Sequence, residues 1–209
     1  MSIELYNYLT LYGSVSQTKH RMLNPKSFIS WTEEKFAYVK YNPRKNINRL
    51  GLSITSLDGG VSGIPDLDSL LEYNEDNNTS YNERNFQIKT PVYNGELKKV
   101  LDPIGDSIFR SHVLKIPPGG FFPPHRDFYG MRIDSFRLVI PLAYCNPPTF
   151  NFVVDDKLQH WEDGYVYFVD TAKMHYLFNS GPLDTYLVVV NCDLNEQTVK
   201  YVTENFRYR

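Results

Sequence analysis

His125 and Asp127, two residues apart in Pro-Pro-His-Arg-Asp-Phe-Tyr-Gly, and His175 fifty positions later are side chains whose types and spacing suit a metal ion. In an extended segment residues i and i+2 point to the same side, so His125 and Asp127 face together while Arg126 points away. Two imidazoles and one carboxylate cover one face of an octahedral ion. The opposite positions stay free for solvent, an organic cosubstrate and dioxygen, an arrangement that goes with non-haem iron(II) rather than with tetrahedral zinc. A lone His-x-Asp also arises by chance, and an isolated histidine in an apolar stretch is commonly a packed side chain. Order and context favour the metal: a Pro-Gly-rich turn precedes the pair, His175 starts a strand, and an arginine lies between them.

That arginine is Arg137, in Phe136-Arg-Leu-Val-Ile-Pro-Leu142. A cation on an otherwise apolar strand is costly to bury without an anion, and the guanidinium fork matches a carboxylate. A dicarboxylate cosubstrate would satisfy it. The alternatives are an escape to solvent at the strand end or a structural acid such as Asp134.

These residues need a frame that brings distant segments together. After residue 111 the chain reads as strand after strand: His112 to Ile116, Phe136 to Ala143, Thr149 to Val154, Tyr165 to Val169, His175 to Phe178 and Tyr186 to Asn191. Each is short, β-branched or aromatic, and bounded by turn residues such as Gly119-Gly120, Asn146-Pro-Pro148, Asp163-Gly164 and Ser180-Gly-Pro182. Such spacing predicts a sandwich or barrel, and a jelly roll of two packed antiparallel sheets would leave one end open for a site. Glu196 to Phe206, with Val199 and Val202 three apart, predicts a closing helix.

Before residue 111 regular structure is expected to be sparse. Asp66 to Tyr73 reads as a helix, because Pro65 and Asp66 suit its start and Leu67, Leu70 and Leu71 share a face. Thr32 to Tyr41 reads as either a short helix or a strand, and Asn74 to Asn85 as a mobile loop.

A chain of 209 residues suits one domain with a sizeable core. We expect a single unit over 1–209: a supporting N-terminal region at 1–110, a core at 111–193 and a C-terminal helix at 194–209. With 42% hydrophobic and 22% charged residues and a formal charge of -2, there is no long-range electrostatic reason to expect nucleic acid. No secretion signal or membrane span is visible, since the purest aliphatic run, Leu187 to Val190, is far too short. Cys145 and Cys192 form no framework pattern and read as reduced, buried thiols, which points to a cytoplasmic protein. Neither Ser-His-Asp nor Cys-His catalysis has a local signature, and no phosphate-binding glycine motif occurs. His20, His112 and His160 receive no role, His112 being a packed or hydrogen-bonded residue on an apolar strand.

PPGGFFPPHRD, FRLVIPL, WEDGYVYFVDTAKMHYLFNSG and TYLVVVNCD, in that order over roughly residues 111 to 193, resemble the iron(II)- and 2-oxoglutarate-dependent oxygenases. Within them the likeness is to the aspartyl/asparaginyl β-hydroxylase-like branch that contains free-proline hydroxylases. The resemblance implies a mainly β fold, a cupin-like double-stranded β-helix (jelly roll) with a few supporting α-helices. It implies Fe(II), 2-oxoglutarate and dioxygen as cofactor and cosubstrates, decarboxylation of 2-oxoglutarate to succinate, and hydroxylation of a C–H bond in an amino acid or a peptidyl side chain. By the same likeness His125, Asp127 and His175 are the iron ligands, and Arg137 is the arginine that contacts a carboxylate of 2-oxoglutarate. Trp161 and Gly164 belong to the hairpin before the distal histidine strand.

One departure stands out. Many members of the family carry another basic residue about ten positions beyond the distal histidine, where this chain has Thr185 and Tyr186. Either Arg137 anchors the cosubstrate with help from a hydroxyl such as that of Tyr186, or the cosubstrate sits differently, or the chain is a noncatalytic jelly-roll binding protein that retains a metal site. On the substrate side Tyr129, Arg132 and the Asn74 to Asn85 loop are the candidates, because loops at the open end of a β scaffold commonly carry recognition.

Overall fold

Thr185–Asp193 is buried at almost every position, on both faces. Its Tyr186, Val188, Val190 and Cys192 belong to one apolar cluster, and its Leu187 and Val189 to a second. A strand covered on both sides reads as a near-continuous apolar run, as Tyr186 to Val190 does within TYLVVVNCD. The frame follows from that: a large sheet with helices on one face and a smaller sheet on the other.

The computed structural model describes residues 2–61, 63, 65–127 and 134–207. In chain order α1 (Ser2–Thr10), β1 (Val15–Arg21), α2 (Pro25–Lys35), β2 (Val39–Lys40), β3 (Leu50–Ser53), β4 (Thr55–Ser56), α3 (Leu70–Asn77), β5 (Ile88–Lys89) and α4 (Gly95–Leu101) precede the strand-rich half. There follow β6 (Ile108–Ile116), β7 (Phe121–His125), β8 (Ser135–Ala143), β9 (Phe150–Val154), β10 (Lys157–Leu158), β11 (Tyr165–Val169), β12 (His175–Asn179), β13 (Thr185–Asp193) and α5 (Glu196–Thr203). The larger sheet has the order β1-β11-β8-β13-β6-β3-β2, the smaller β10-β9-β12-β7, and all their pairs are antiparallel. This is the expected double-stranded β-helix.

The outer face of the large sheet, with Phe136, Leu138, Phe168 and Val188, packs on Leu9, Leu97, Leu101 and Val202 from the helices. Its inner face, with Leu114, Val139, Leu187 and Val189, packs on Phe150, Phe152, Val154 and Leu177 of the small sheet. Each such side chain taken from water contributes about 1.5–3 kcal/mol. Both cysteines are buried and free, as expected. Among the described residues no helix is long and apolar enough to cross a membrane.

Three expectations for the first half need correction. Regular structure there is not sparse, because β1, β2 and β3 extend the large sheet at its two edges. The helix read at Asp66 to Tyr73 begins only at Leu70. Asp66 is drawn out of it: its carboxylate accepts from Ser53 Oγ at 3.0 Å, and its carbonyl contacts Arg110 and His112. The Asn74 to Asn85 stretch is built rather than loose. It ends α3, the Asn74 side chain accepts from the Thr79 hydroxyl at 2.7 Å and the Tyr81 N–H at 3.0 Å, and Asn82 caps a 3-10 turn at Glu83–Asn85. Thr32 to Tyr41 straddles the end of α2 and all of β2.

Candidate metal centre

β7 carries Pro123 and Pro124, which a central strand would not accept, but it lies at the edge of the small sheet. Its last residue, His125, pairs across the ladder with His175, the first residue of β12. The two rings lie 4.2 Å apart, centroid to centroid. Each Nδ1 sits on the carbonyl two residues back, Pro123 at 2.6 Å for His125 and Lys173 at 3.0 Å for His175. An N–H donated there leaves each Nε2 with its lone pair free, the tautomer that a metal ligand requires.

Asp127 follows directly after β7, and its N–H donates to the Thr171 carbonyl at 2.8 Å, joining the segment after β7 to the turn before β12. Its Oδ1 is 3.9 Å from His125 Nε2 and its Oδ2 is 3.8 Å from His175 Nε2. One donor atom from each of the three residues lies within 4.8 Å of the others. The turn itself is braced from α1, where the Tyr6 hydroxyl donates to Asp170 at 2.6 Å.

Arg137, on β8, brings its Nη1 to 2.6 Å from Asp127 Oδ2. Its Nε donates to Asn191 Oδ1 at 3.1 Å, and the Asn191 amide donates in turn to the Arg110 carbonyl at 2.8 Å. Although the guanidinium is close, its N–H groups do not aim at Asp127 Oδ2, which is buried without a directed hydrogen bond. Thr171 Oγ1 and Glu83 Oε2, on the wall of the same cavity, are likewise buried and unpaired. Burial pushes the His175 imidazole down to about 4, against the opposing pull of Asp127, so at neutral pH it carries no charge and can ligate.

The cavity between the sheets has a volume of about 210 Å³. One end is polar, with the three candidate ligands, Arg137 and Asn191; the other is apolar, with Leu114, Phe152, Leu177 and Leu187. Two imidazoles with their Nε2 atoms turned inward and a carboxylate oxygen without a directed hydrogen bond fit a divalent ion with open positions. The donor set is therefore chemically consistent with a metal.

The fold thus brings His125, Asp127, His175 and Arg137 together, whereas the alternative partner of Arg137, Asp134, uses its carbonyl to accept from Arg84 and from the Leu194 N–H. Tyr186 is not part of the site. It points to the helix side, its hydroxyl donating to Glu33 at 2.7 Å, and the Thr185 hydroxyl is spent on the Tyr144 carbonyl at 3.0 Å. Tyr129 and Arg132 lie outside the described residues, and of the Asn74 to Asn85 stretch only Glu83 is among the described cavity residues. Asn191, Thr171 and Arg110 line the cavity without having been singled out in the sequence. Asn191 and Arg110 carry the same signal as Arg137, a polar residue inside an apolar strand.

The model of the family described as aspartyl/asparaginyl beta-hydroxylase matches residues 72–196, more than half of the chain, including His125, Asp127, Arg137 and His175. The chain belongs to this family. Among solved structures it is similar to a prolyl-4-hydroxylase from Pseudomonas putida, at 12% identity over 92% of this chain and 98% of that one, with a TM-score of 0.49. It is also similar to an oxidoreductase of the 2OG-Fe(II) oxygenase family from Burkholderia pseudomallei, at 14% identity over 81% of this chain and 77% of that one, with a TM-score of 0.46. No curated protein matches the sequence significantly.

Proposed function

We propose that this family member is an Fe(II)- and 2-oxoglutarate-dependent dioxygenase, one catalytic unit over its whole length, that hydroxylates a C–H bond of an amino acid or a peptidyl side chain. The observation that carries the reading is the convergence of His125, Asp127 and His175, with both histidines held by Nδ1 in the ligating tautomer and Asp127 Oδ2 buried without a directed hydrogen bond. Family membership adds the reaction class.

In this reading the three side chains hold iron(II), which when bound with 2-oxoglutarate and dioxygen supplies the oxidising power for C–H hydroxylation, with succinate and carbon dioxide as by-products. The protein supplies position. Arg137, fixed by Asn191, places a cation beside the metal end of the cavity, where a carboxylate of the cosubstrate is neutralised and oriented. Apolar walls from both sheets keep water from the reacting atoms. A small cavity suits a small acid inside the barrel, with the target side chain approaching from the open end.

The test is succinate formation with Fe(II) and 2-oxoglutarate across a panel of free amino acids and short peptides. The substrate that stimulates turnover identifies the target class. Turnover retained in both His125→Ala and Asp127→Ala would remove the assignment, and metal binding with no 2-oxoglutarate consumption by any panel member would favour the binding-protein alternative, which the lack of a basic residue at Thr185 and Tyr186 recommends.

A further inference from the structure

Arg49 is 4% exposed, and among the described residues no carboxylate pairs with it. Its Nε is buried without a hydrogen-bond partner. Its guanidinium lies over the Phe122 ring, 4.1 Å from the centroid, with the Tyr41 ring at 5.3 Å. Three other arginines near the barrel interior are answered: Arg110 by Glu83 and two carbonyls, Arg137 by Asp127 and Asn191, Arg44 by Asp68. A cation taken out of water with only two ring faces for company is costly to keep, and a chain that keeps one has left room for an anion.

The position of Arg49 says which anion. It immediately precedes β3, where Leu50 pairs with Lys115 and Lys115 with Tyr186. Arg49 therefore continues the row of Ile116 and Thr185, one step beyond the row of Leu114 and Leu187 that forms the apolar end of the cavity. Tyr41 and Phe122, the rings that flank it, both wall that cavity, and Phe122 also stacks towards His125, 6.5 Å between centroids. Arg137 stands at the metal end, and Arg49 lies behind Tyr41 and Phe122, which separate it from the cavity as the ligand-free protein holds it.

We propose that Arg49 binds the carboxylate of 2-oxoglutarate that lies away from the metal, a step that rests on the functional reading above and deepens it. The ketone and adjacent carboxylate of a 2-oxo acid are the groups a metal takes, so the second carboxylate has to find a cation farther into the barrel. Arg137 cannot serve there, because it touches Asp127. Thr185 and Tyr186 have committed their hydroxyls elsewhere. Arg49 reaches the same interior row from a neighbouring strand, and its planar fork, held flat by two aromatic rings, matches a carboxylate.

The test compares 2-oxoglutarate with 2-oxobutyrate, which has the same keto-acid head and no second carboxylate. Both are titrated by calorimetry into the Mn(II)-loaded protein, where no turnover intervenes. The wild type should prefer 2-oxoglutarate by about 30-fold, and Arg49→Met should lose most of that preference while binding 2-oxobutyrate as before. Free of ligand, Arg49→Met should melt at or above the wild-type temperature, since an uncompensated buried charge is gone. Preference retained in Arg49→Met, with a lower melting temperature, would make Arg49 a packing strut and overturn the proposal; so would a variant altered only in its KM for the hydroxylated substrate. Arg49→Gln carries the same comparison if Arg49→Met does not fold. Failure of the wild type to bind either keto acid is a different result, and removes the oxygenase reading itself.

Discussion

Asp127 and Arg137 come from different sheets and meet at 2.6 Å across the interior of the barrel. One follows the edge strand β7 and the other sits within β8, so the ion pair joins the two layers at the level of the candidate ligands. The Oδ2 of Asp127 is close to a cation but accepts no aimed hydrogen bond. Such a group gains more from a divalent ion than a fully satisfied one would.

Metal should therefore stabilise the fold through Asp127. With Mn(II) at about 100 times its dissociation constant, linkage gives about 2.7 kcal/mol. For a domain of this size that is a rise in melting temperature of about 5–10 °C. Scanning fluorimetry on the metal-free protein, with and without Mn(II), reads the shift. Asp127→Ala should show none, and an equal shift in that variant would take Asp127 out of the ligand set.

Asn191 should act on the reaction through Arg137. It accepts from Arg137 Nε at 3.1 Å and donates to the Arg110 carbonyl at 2.8 Å, so Asn191→Ala strands groups on both sides. The expected loss of stability is about 1–3 kcal/mol. Beyond that, kcat/KM should fall about 10-fold with Mn(II) affinity nearly unchanged, because the triad is untouched. Lost stability with unchanged kcat/KM would make Asn191 structural only.

The late strands were legible in sequence because they are covered on both faces. β8, β11 and β13 are written as mostly apolar runs whatever their neighbours, and β11 falls on the expected residues, Tyr165–Val169. The early strands were not, for equally physical reasons. β1, Val-Ser-Gln-Thr-Lys-His-Arg, lies at one edge of the large sheet and spends its polar side chains on partners such as the Val166 carbonyl, which accepts from Thr18. β3 is four residues long and takes its meaning from β6, which no local pattern announces. The same division runs through the site. His125, Asp127, His175 and Arg137 carry their signal in type and spacing, whereas the burial of Arg49 depends on Tyr41 and Phe122, eight residues before it and seventy-three after.

Asp66 should make stability fall as pH rises through the mildly acidic range. Burial pushes its carboxyl up to about 6, with one oxygen held by Ser53 and the other unpaired. The folded state thus holds a proton that the unfolded chain has released, and its advantage is full below about pH 4 and lost as pH passes through 6. Asp66→Asn keeps the shape without the charge. The variant should match the wild type near pH 4 and exceed it above pH 6 by about 2–3 kcal/mol. Denaturant melts at pH 4 and pH 8 provide the comparison, and a difference of the same size at both would mean that the proton is not involved.

The adjacent glycines that open β7 should respond differently to alanine. Gly119 has φ +76° with no atom within 4 Å of where a Cβ would stand, so Gly119→Ala meets only backbone strain, about 1–2 kcal/mol. Gly120 needs no unusual φ, but its Cβ would fall 2.1 Å from the Asn48 carbonyl oxygen and 2.8 Å from Ile116 Cγ2. The backbone before β3 must then move. Because Asn48 adjoins Arg49, Gly120→Ala should cost about 2–3 kcal/mol and also weaken 2-oxoglutarate relative to 2-oxobutyrate, while Gly119→Ala leaves that preference alone. Thermal melts and the two keto-acid titrations on both variants read the difference. Equal behaviour of the two would show that the approach of Asn48 to the turn does not position Arg49.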